Sequence, residues 1–210
     1  MVGLLAVVIG MIPGLGNVVY EQDFSTDSPT AWSTACSSVS ERWVALGAYQ
    51  VLARSPRFPA VGLLEGSRFY AGVIELDVSQ QSGTPHCSYG IVFGCVDEQS
   101  YFRFCITGDG YVELCRVVNG QVTVLVGRRR CYVSHLGHQV VNRLRVECDG
   151  ANGWFYVNGC RVMECSNLII PWGEVGVVVQ TLQHDDVCVA FDDVKIHDPS
   201  SVVAVAPGTP

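Results

Sequence analysis

From Tyr20 to His197 the chain runs as short apolar stretches rich in Val, Phe, Tyr and Ile, broken by Gly, Asn and Asp. Short runs between frequent turn residues predict strands, and helical periodicity is hard to find. The middle is clearest. Tyr89 to Cys95 reads as a strand, Val96 to Ser100 as a connection, and Tyr101 to Thr107 as a second strand. Gly108-Asp109-Gly110 turns the chain into Tyr111 to Val118. Asn119-Gly120, two residues that accept positive φ, then turns it into Val122 to Val126. Between Asn142 and Cys148, Leu144 and Val146 share one face while Arg143, Arg145 and Glu147 share the other. Trp154 to Val157 returns, and Asn158-Gly159 turns into Cys160 to Met163. Trp43 to Leu52 and Phe69 to Val78 supply early strands; Gly173 to Gln180 and Val187 to Ile196 supply the last. About a dozen strands at such close spacing predict an all-β fold, a two-sheet antiparallel β-sandwich.

Composition agrees with a well-filled core. Hydrophobic residues make up 49% of the 210 and charged residues 16%. The net charge of −7 repels phosphate backbones, so nucleic acid is excluded as a partner. Lys195 is the only lysine beside 12 arginines, which reads as genome composition before function.

Ten cysteines change the picture more: Cys36, Cys87, Cys95, Cys105, Cys115, Cys131, Cys148, Cys160, Cys165 and Cys188. Zinc-ribbon and thioredoxin spacings are absent. An even number scattered over strands predicts several disulfides in an oxidising, extracellular or cell-surface setting; buried free thiols are the alternative. Connectivity does not follow from spacing.

Residues 1–19 carry no charge, lack a basic n-region, and are interrupted by Gly10, Pro13, Gly14 and Gly16. Three readings stand: an export-signal or membrane-anchor remnant, an apolar arm docking on another copy of the chain, or part of the domain. The predicted division is an apolar segment over 1–19, a sandwich over 20–198 and a tail over 199–210.

The order of motifs from Tyr20 to Asp198 resembles the concanavalin A-like jelly rolls of bacterial extracytoplasmic proteins, including laminin-G-like and glucanase-like modules. The matching pieces are Asp23-Phe24-Ser25 with Trp32, Val73 to Val78, Tyr89 to Phe93, Tyr101 to Phe104 and Asp109-Gly110-Tyr111. Asn142 to Val146, Tyr156 to Gly159, Val175 to Val177 and Phe191 to Val194 complete the set. The resemblance implies the fold; such folds host lectins, hydrolases and structural modules alike.

Its glucanases carry E-x-D-x-x-E, a nucleophile and helper followed by an acid/base. Glu75 and Asp77 fill the first two positions, but Gln80 stands third, and an amide cannot exchange the proton. No catalytic residue is therefore assigned. A non-enzymatic binding or display module is expected, carbohydrate-binding or adhesive. The alternative is a structural subunit of a surface filament or layer.

Two aromatic groups are candidate glycan platforms: Tyr101, Arg103, Tyr111 and Glu113 on the meander, with Phe102, Phe104, Val112 and Leu114 turned inward, and Trp154 with Tyr156 on the later hairpin. Ordinary cross-strand aromatic pairing is the other account of them. Asp185, Asp186, Asp192 and Asp193 offer the hard oxygen ligands that calcium takes; no other cofactor is implied. His135 and His138 lack a third ligand at clear spacing. Arg128-Arg129-Arg130 reads as a solvated loop.

Overall fold

A computed structural model describes residues 17–26, 31–183 and 186–199. Its strands are β1 (Val18–Gln22), β2 (Ala35–Cys36), β3 (Ser40–Ala45), β4 (Ala48–Ala53), β5 (Ala60–Phe69), β6 (Gly72–Ser82), β7 (Cys87–Asp97), β8 (Ser100–Thr107), β9 (Tyr111–Val118), β10 (Gln121–Arg130), β11 (Asn142–Cys148), β12 (Asn152–Val157), β13 (Cys160–Ser166), β14 (Gly173–Thr181) and β15 (Val187–His197). The first sheet runs β13-β12-β11-β6-β15-β4-β3-β2, with β1 also on β15; the second runs β10-β9-β8-β7-β14-β5. Every pairing is antiparallel. The protein is a two-sheet antiparallel β-sandwich.

Alternation builds the core. In the first sheet Ile74, Leu76 and Val78 of β6 face inward beside Leu144 and Val146 of β11 and Phe155 and Val157 of β12. They meet Ile91 and Phe93 of β7, Phe102, Phe104 and Ile106 of β8, and Val112 and Leu114 of β9. Phe155 is fully buried, its ring centroid 5.1 Å from that of Phe104 and 6.3 Å from that of Phe93. It ties the two sheets together.

Turn chemistry sets several boundaries. Asn119-Gly120 has φ values of 50° and 76°, and Asn158-Gly159 has 50° and 79°, as two-residue hairpin turns require. The single strand expected over Trp43 to Leu52 is instead the hairpin β3–β4. Leu46 (φ 55°) and Gly47 (φ 71°) turn it, and Leu46 stands almost wholly in solvent. Phe69 and Gly72 likewise belong to different strands. Arg128-Arg129-Arg130 ends β10 and is not a loop. Val18 and Val19 lie in β1, inside the sheet. The apolar arm before residue 17 and the tail beyond residue 199 lie outside the described residues.

One irregularity reshapes the outer face of the first sheet. In β15, Val187, Val189 and Phe191 face inward, then Val194 and Ile196 do. The phase changes at Asp193 (φ 48°), where the register with β6 shifts between Asp192 and Lys195. A short polar residue accepts that conformation more readily than a branched one. This bulge sends Asp193 onto the outer face.

Candidate functional site

The outer face of the first sheet carries Glu75 and Asp77 on β6. Strand register sets Arg145 beside Glu75 and Arg143 beside Asp77. Arg143 donates to both oxygens of Asp77, at 2.8 and 3.0 Å, and to Asp193. Arg145 Nη1 donates to Glu75 Oε1 at 2.5 Å and its Nε to Glu147 Oε1 at 2.7 Å. Tyr156 donates its hydroxyl to Glu147 at 3.1 Å, and its ring lies under Arg145. The Asp77 hydrogen bond, working against partial burial, holds the Arg143 guanidinium above its usual range. Each carboxylate that matches the glucanase pattern is thus engaged by a cation.

Gln80 is not on this face. Alternation turns it inward with Ile74, Leu76 and Val78, and it is buried. Its amide nitrogen donates to the carbonyls of Ser82, Gly83 and Thr84, the last at 2.9 Å, pinning the chain after β6. The glucanase pattern assigns Gln80 an active-site position; its observed place is structural.

The first aromatic group, on the meander, lies on the second sheet. Phe102, Phe104, Val112 and Leu114 do face the core, and Tyr101, Arg103, Tyr111 and Glu113 do share the opposite face. That face is not open. Tyr101 is 3% exposed and Arg103 6%, packed with Val61, Val92, Cys95, Cys105, Val117 and Val178 as a second apolar layer. Cover comes from across the sandwich: Arg42 of β3 donates to the carbonyl of Val61, and the 54–59 connection brings Arg57, Phe58 and Pro59 alongside. Tyr111 sits away from Tyr101, about 20 Å along the strand at roughly 3.3 Å per residue. Arg128 and Arg130 cap its ring, with centroid distances of 4.2 and 5.3 Å. The first group therefore splits, and Trp154 with Tyr156 lies on the other sheet altogether.

Between these walls a cleft of about 660 Å³ opens on the second sheet, within the ~300–1,000 Å³ usual for small-molecule sites. Its floor includes Tyr101, Arg103, Val117 and Gln180; Phe58, 60% exposed, stands at its rim. Arg103 Nη1 donates to Gln180 Oε1 at 2.8 Å, and its Nη2 lies 3.7 Å from Glu113. Burial works against the Arg103 charge, but neighbouring groups, the Glu113 carboxylate among them, keep the guanidinium above its usual range. Burial raises the Tyr101 hydroxyl. Arg42, Arg57, Phe58 and Gln180 were not foreseen from the sequence. Arg57-Phe58-Pro59, an arginine and an aromatic just before a strand, was the available signal.

The disulfide expectation is corrected: all ten cysteines are free thiols. Alternation spreads them over separate layers. Cys87, Cys131 and Cys148 are in the core, Cys95 and Cys105 under the cleft layer, and Cys36 and Cys160 at the surface. Cys105 and Cys115 lie diagonally, since Cys115 faces Arg103 and Cys105 faces Glu113. Diagonal neighbours are about 7–8 Å apart, outside the roughly 4.4–6.8 Å Cα reach of a disulfide. Burial pushes Cys87 up to about 12 and Cys95 up to about 11, so these thiols stay protonated and unreactive at neutral pH. Under native conditions a maleimide should label Cys36 and Cys160 first and leave Cys87, Cys105 and Cys148 untouched until the protein unfolds. Peptide mass mapping reads this directly; a bridged pair in the native protein contradicts it.

The calcium candidates among the described residues, Asp186, Asp192 and Asp193, do not form one metal site. Asp186 precedes β15 and lies 3.4 Å from Arg54, while Asp193 is engaged by Arg143 and by Lys195 at 3.1 Å. Burial raises the Asp192 carboxyl. Asp185 and His184 lie outside the described residues. Among the described residues no three His, Cys, Asp or Glu side chains form a group able to hold a metal. His135 and His138 each turn a ring nitrogen to a backbone carbonyl, of Val141 at 3.1 Å and of Gly83 at 2.9 Å.

No family model matches the chain, and no curated protein does. Solved structures do. A carbohydrate-binding module, CBM66 from Bacillus subtilis, superposes with a TM-score of 0.66 at 15% identity, over 80% of this chain and 96% of that one. A β-glucanase from Bacillus licheniformis superposes at 0.63 and 10% identity, over 89% and 100%. A Bacillus subtilis protein of unknown function with a galectin-like fold superposes at 0.64 and 11% identity, over 87% and 96%. Identities this low speak to architecture alone, and the architecture they share with this chain is the concanavalin A-like jelly roll.

Proposed function

We propose that the chain is a non-catalytic carbohydrate-binding module, acting outside the cell or at its surface, with the cleft of the second sheet as its site. The observation that carries this is the cleft itself: an exposed aromatic, Phe58, beside a floor of fixed hydrogen-bonding groups, Tyr101, Arg103 and Gln180. Sugars are bound by that combination, an apolar ring face for their C–H surface and polar groups held at set angles for their hydroxyls. Two features favour binding over hydrolysis. Glu75 and Asp77 are tied to arginines, and Gln80 points into the core. A retaining pair needs two free carboxyls about 5 Å apart across a sugar. The carbohydrate-binding module among the similar structures supports the same reading.

A polysaccharide panel on the purified protein tests it. At least one glycan should bind, and Phe58→Ala should weaken it about tenfold or more, roughly 1.4 kcal/mol. The circular dichroism spectrum should be unchanged, because Phe58 is mostly exposed. Trp154→Ala, on the opposite sheet, should leave affinity alone. Binding by no glycan, or binding lost with Trp154→Ala and kept with Phe58→Ala, sinks the proposal. Release of reducing sugar from a β-glucan that stops on Glu75→Gln would restore the enzymatic alternative.

A further inference from the structure

We infer that the sugar bound in this cleft carries an oxyanion on its ring, held by Arg42, Arg57 and Arg103; this rests on the carbohydrate-binding reading above. Three arginines and a single glutamate, Glu98, line the cleft, on a chain whose net charge is −7. The cleft therefore carries the minority sign of the molecule. Placing like charges together in a partly desolvated cleft is unfavourable unless something of opposite sign completes it.

The hydrogen bonding of the three side chains points the same way. Arg103 is only 6% exposed, yet its Nε has no hydrogen-bond partner. Arg42 spends one terminal nitrogen on the Val61 carbonyl, and its Nε is also buried and unpartnered. Arg57 forms no ion pair with any described residue and stands exposed at the rim. The nearest carboxylate to Arg103, Glu113 at 3.7 Å, is too distant for a close two-pronged pair. Buried donors are seldom left unmade. A guanidinium fork is suited to a planar carboxylate and accepts a sulfate oxygen pair as well. A neutral hydroxyl meets neither the charge nor the fork. Four arginines elsewhere in the protein are answered by carboxylates: Arg54 by Glu41, Arg128 by Asp109, Arg143 by Asp77 and Arg145 by Glu75.

The experiment is calorimetric titration of the whole chain with polygalacturonate, alginate and hyaluronate, with fully methyl-esterified polygalacturonate, with dextran sulfate, and with neutral dextran and laminarin. An anionic polysaccharide should bind, and more weakly as salt rises, because exposed charge pairs are screened. For polygalacturonate the methyl ester, with the same backbone and no charge, should bind at least tenfold more weakly. Arg57→Gln and Arg42→Gln should each cost about tenfold for the anionic ligand. Arg161→Gln, the same change of charge on the first sheet, should cost nothing. Binding of a polyuronate assigns a carboxylate; binding of dextran sulfate alone assigns a sulfate ester. Equal affinity for the charged and esterified polymers overturns the inference. So does a neutral glycan that is lost with Phe58→Ala and indifferent to Arg57→Gln, and in that case the carbohydrate reading survives. Loss of equal size with Arg161→Gln reduces the effect to net charge and also overturns it. No binding by any polymer removes both.

Discussion

Phe155→Ala should lower the unfolding free energy by about 3–5 kcal/mol, the range for removing a fully buried aromatic from a core that cannot collapse onto the gap. The site offers little room to collapse. Phe155 is 0% exposed, with Phe93 and Phe104 of the second sheet against it. Its neighbour Gly153 is flush with the ring: a Cβ added there would meet Phe155 Cζ at 2.9 Å and Leu168 at 2.7 Å. β12 is laddered antiparallel to β11 on one side and β13 on the other, so closing the cavity means moving a strand. Phe155→Leu keeps most of the volume and should cost under half as much. Guanidinium unfolding of the three proteins, compared at a common slope, reads the difference. A cost below about 1 kcal/mol for the alanine variant would mean that the sheets are not joined through this ring.

That contact shows where sequence reading succeeds and where it stops. Local signals carried the strands. Asn119-Gly120 and Asn158-Gly159 adopt the positive φ their side chains permit, and the alternation of β11 puts Leu144 and Val146 inside as their spacing requires. Alternation also named the face of Tyr101 and Arg103 correctly. It could not say that the face is roofed, because the roof comes from Arg42 and the 54–59 connection, far away in the chain. Period-two counting fails at Asp193, where one residue of left-handed backbone reverses the faces of everything after it. It fails differently for the cysteines: a strand position fixes a layer, but pairing depends on cross-strand register, and register set Arg103 and Glu113 opposite Cys115 and Cys105. Gln80 was judged by a motif spaced for another protein, when its own strand parity already turned it inward. The cleft was illegible for the same reason as the roof, being assembled from five separate stretches whose meeting depends on the order of strands in two sheets.

Arg145→Met should cost about 2 kcal/mol, and adding Glu75→Gln with Glu147→Gln should recover most of it. Arg145 lies between the two glutamates, 2.5 Å from each at its closest nitrogen, with side-chain exposures of 24%, 18% and 15%. A methionine fills much of the stem volume and takes away the charge, so two part-buried carboxylates are left facing each other across β6 and β11. Breaking a pair in this way costs more than the pair contributes, since the remaining charges keep their desolvation and lose their partner. Partial exposure admits water, which is why the expectation sits below the roughly 3–5 kcal/mol of a fully buried pair. Neutral amides remove the repulsion and still accept the Tyr156 hydroxyl, which now meets Glu147 at 3.1 Å. The triple variant is therefore predicted to be close to the parent in stability, and glycan affinity should be unchanged in every variant, because this face belongs to the other sheet. If Arg145→Met abolishes glycan binding while the protein stays folded, the site has been placed on the wrong sheet. A triple variant as unstable as Arg145→Met would show instead that the guanidinium matters for its packing over Tyr156, at 5.9 Å, more than for its charge.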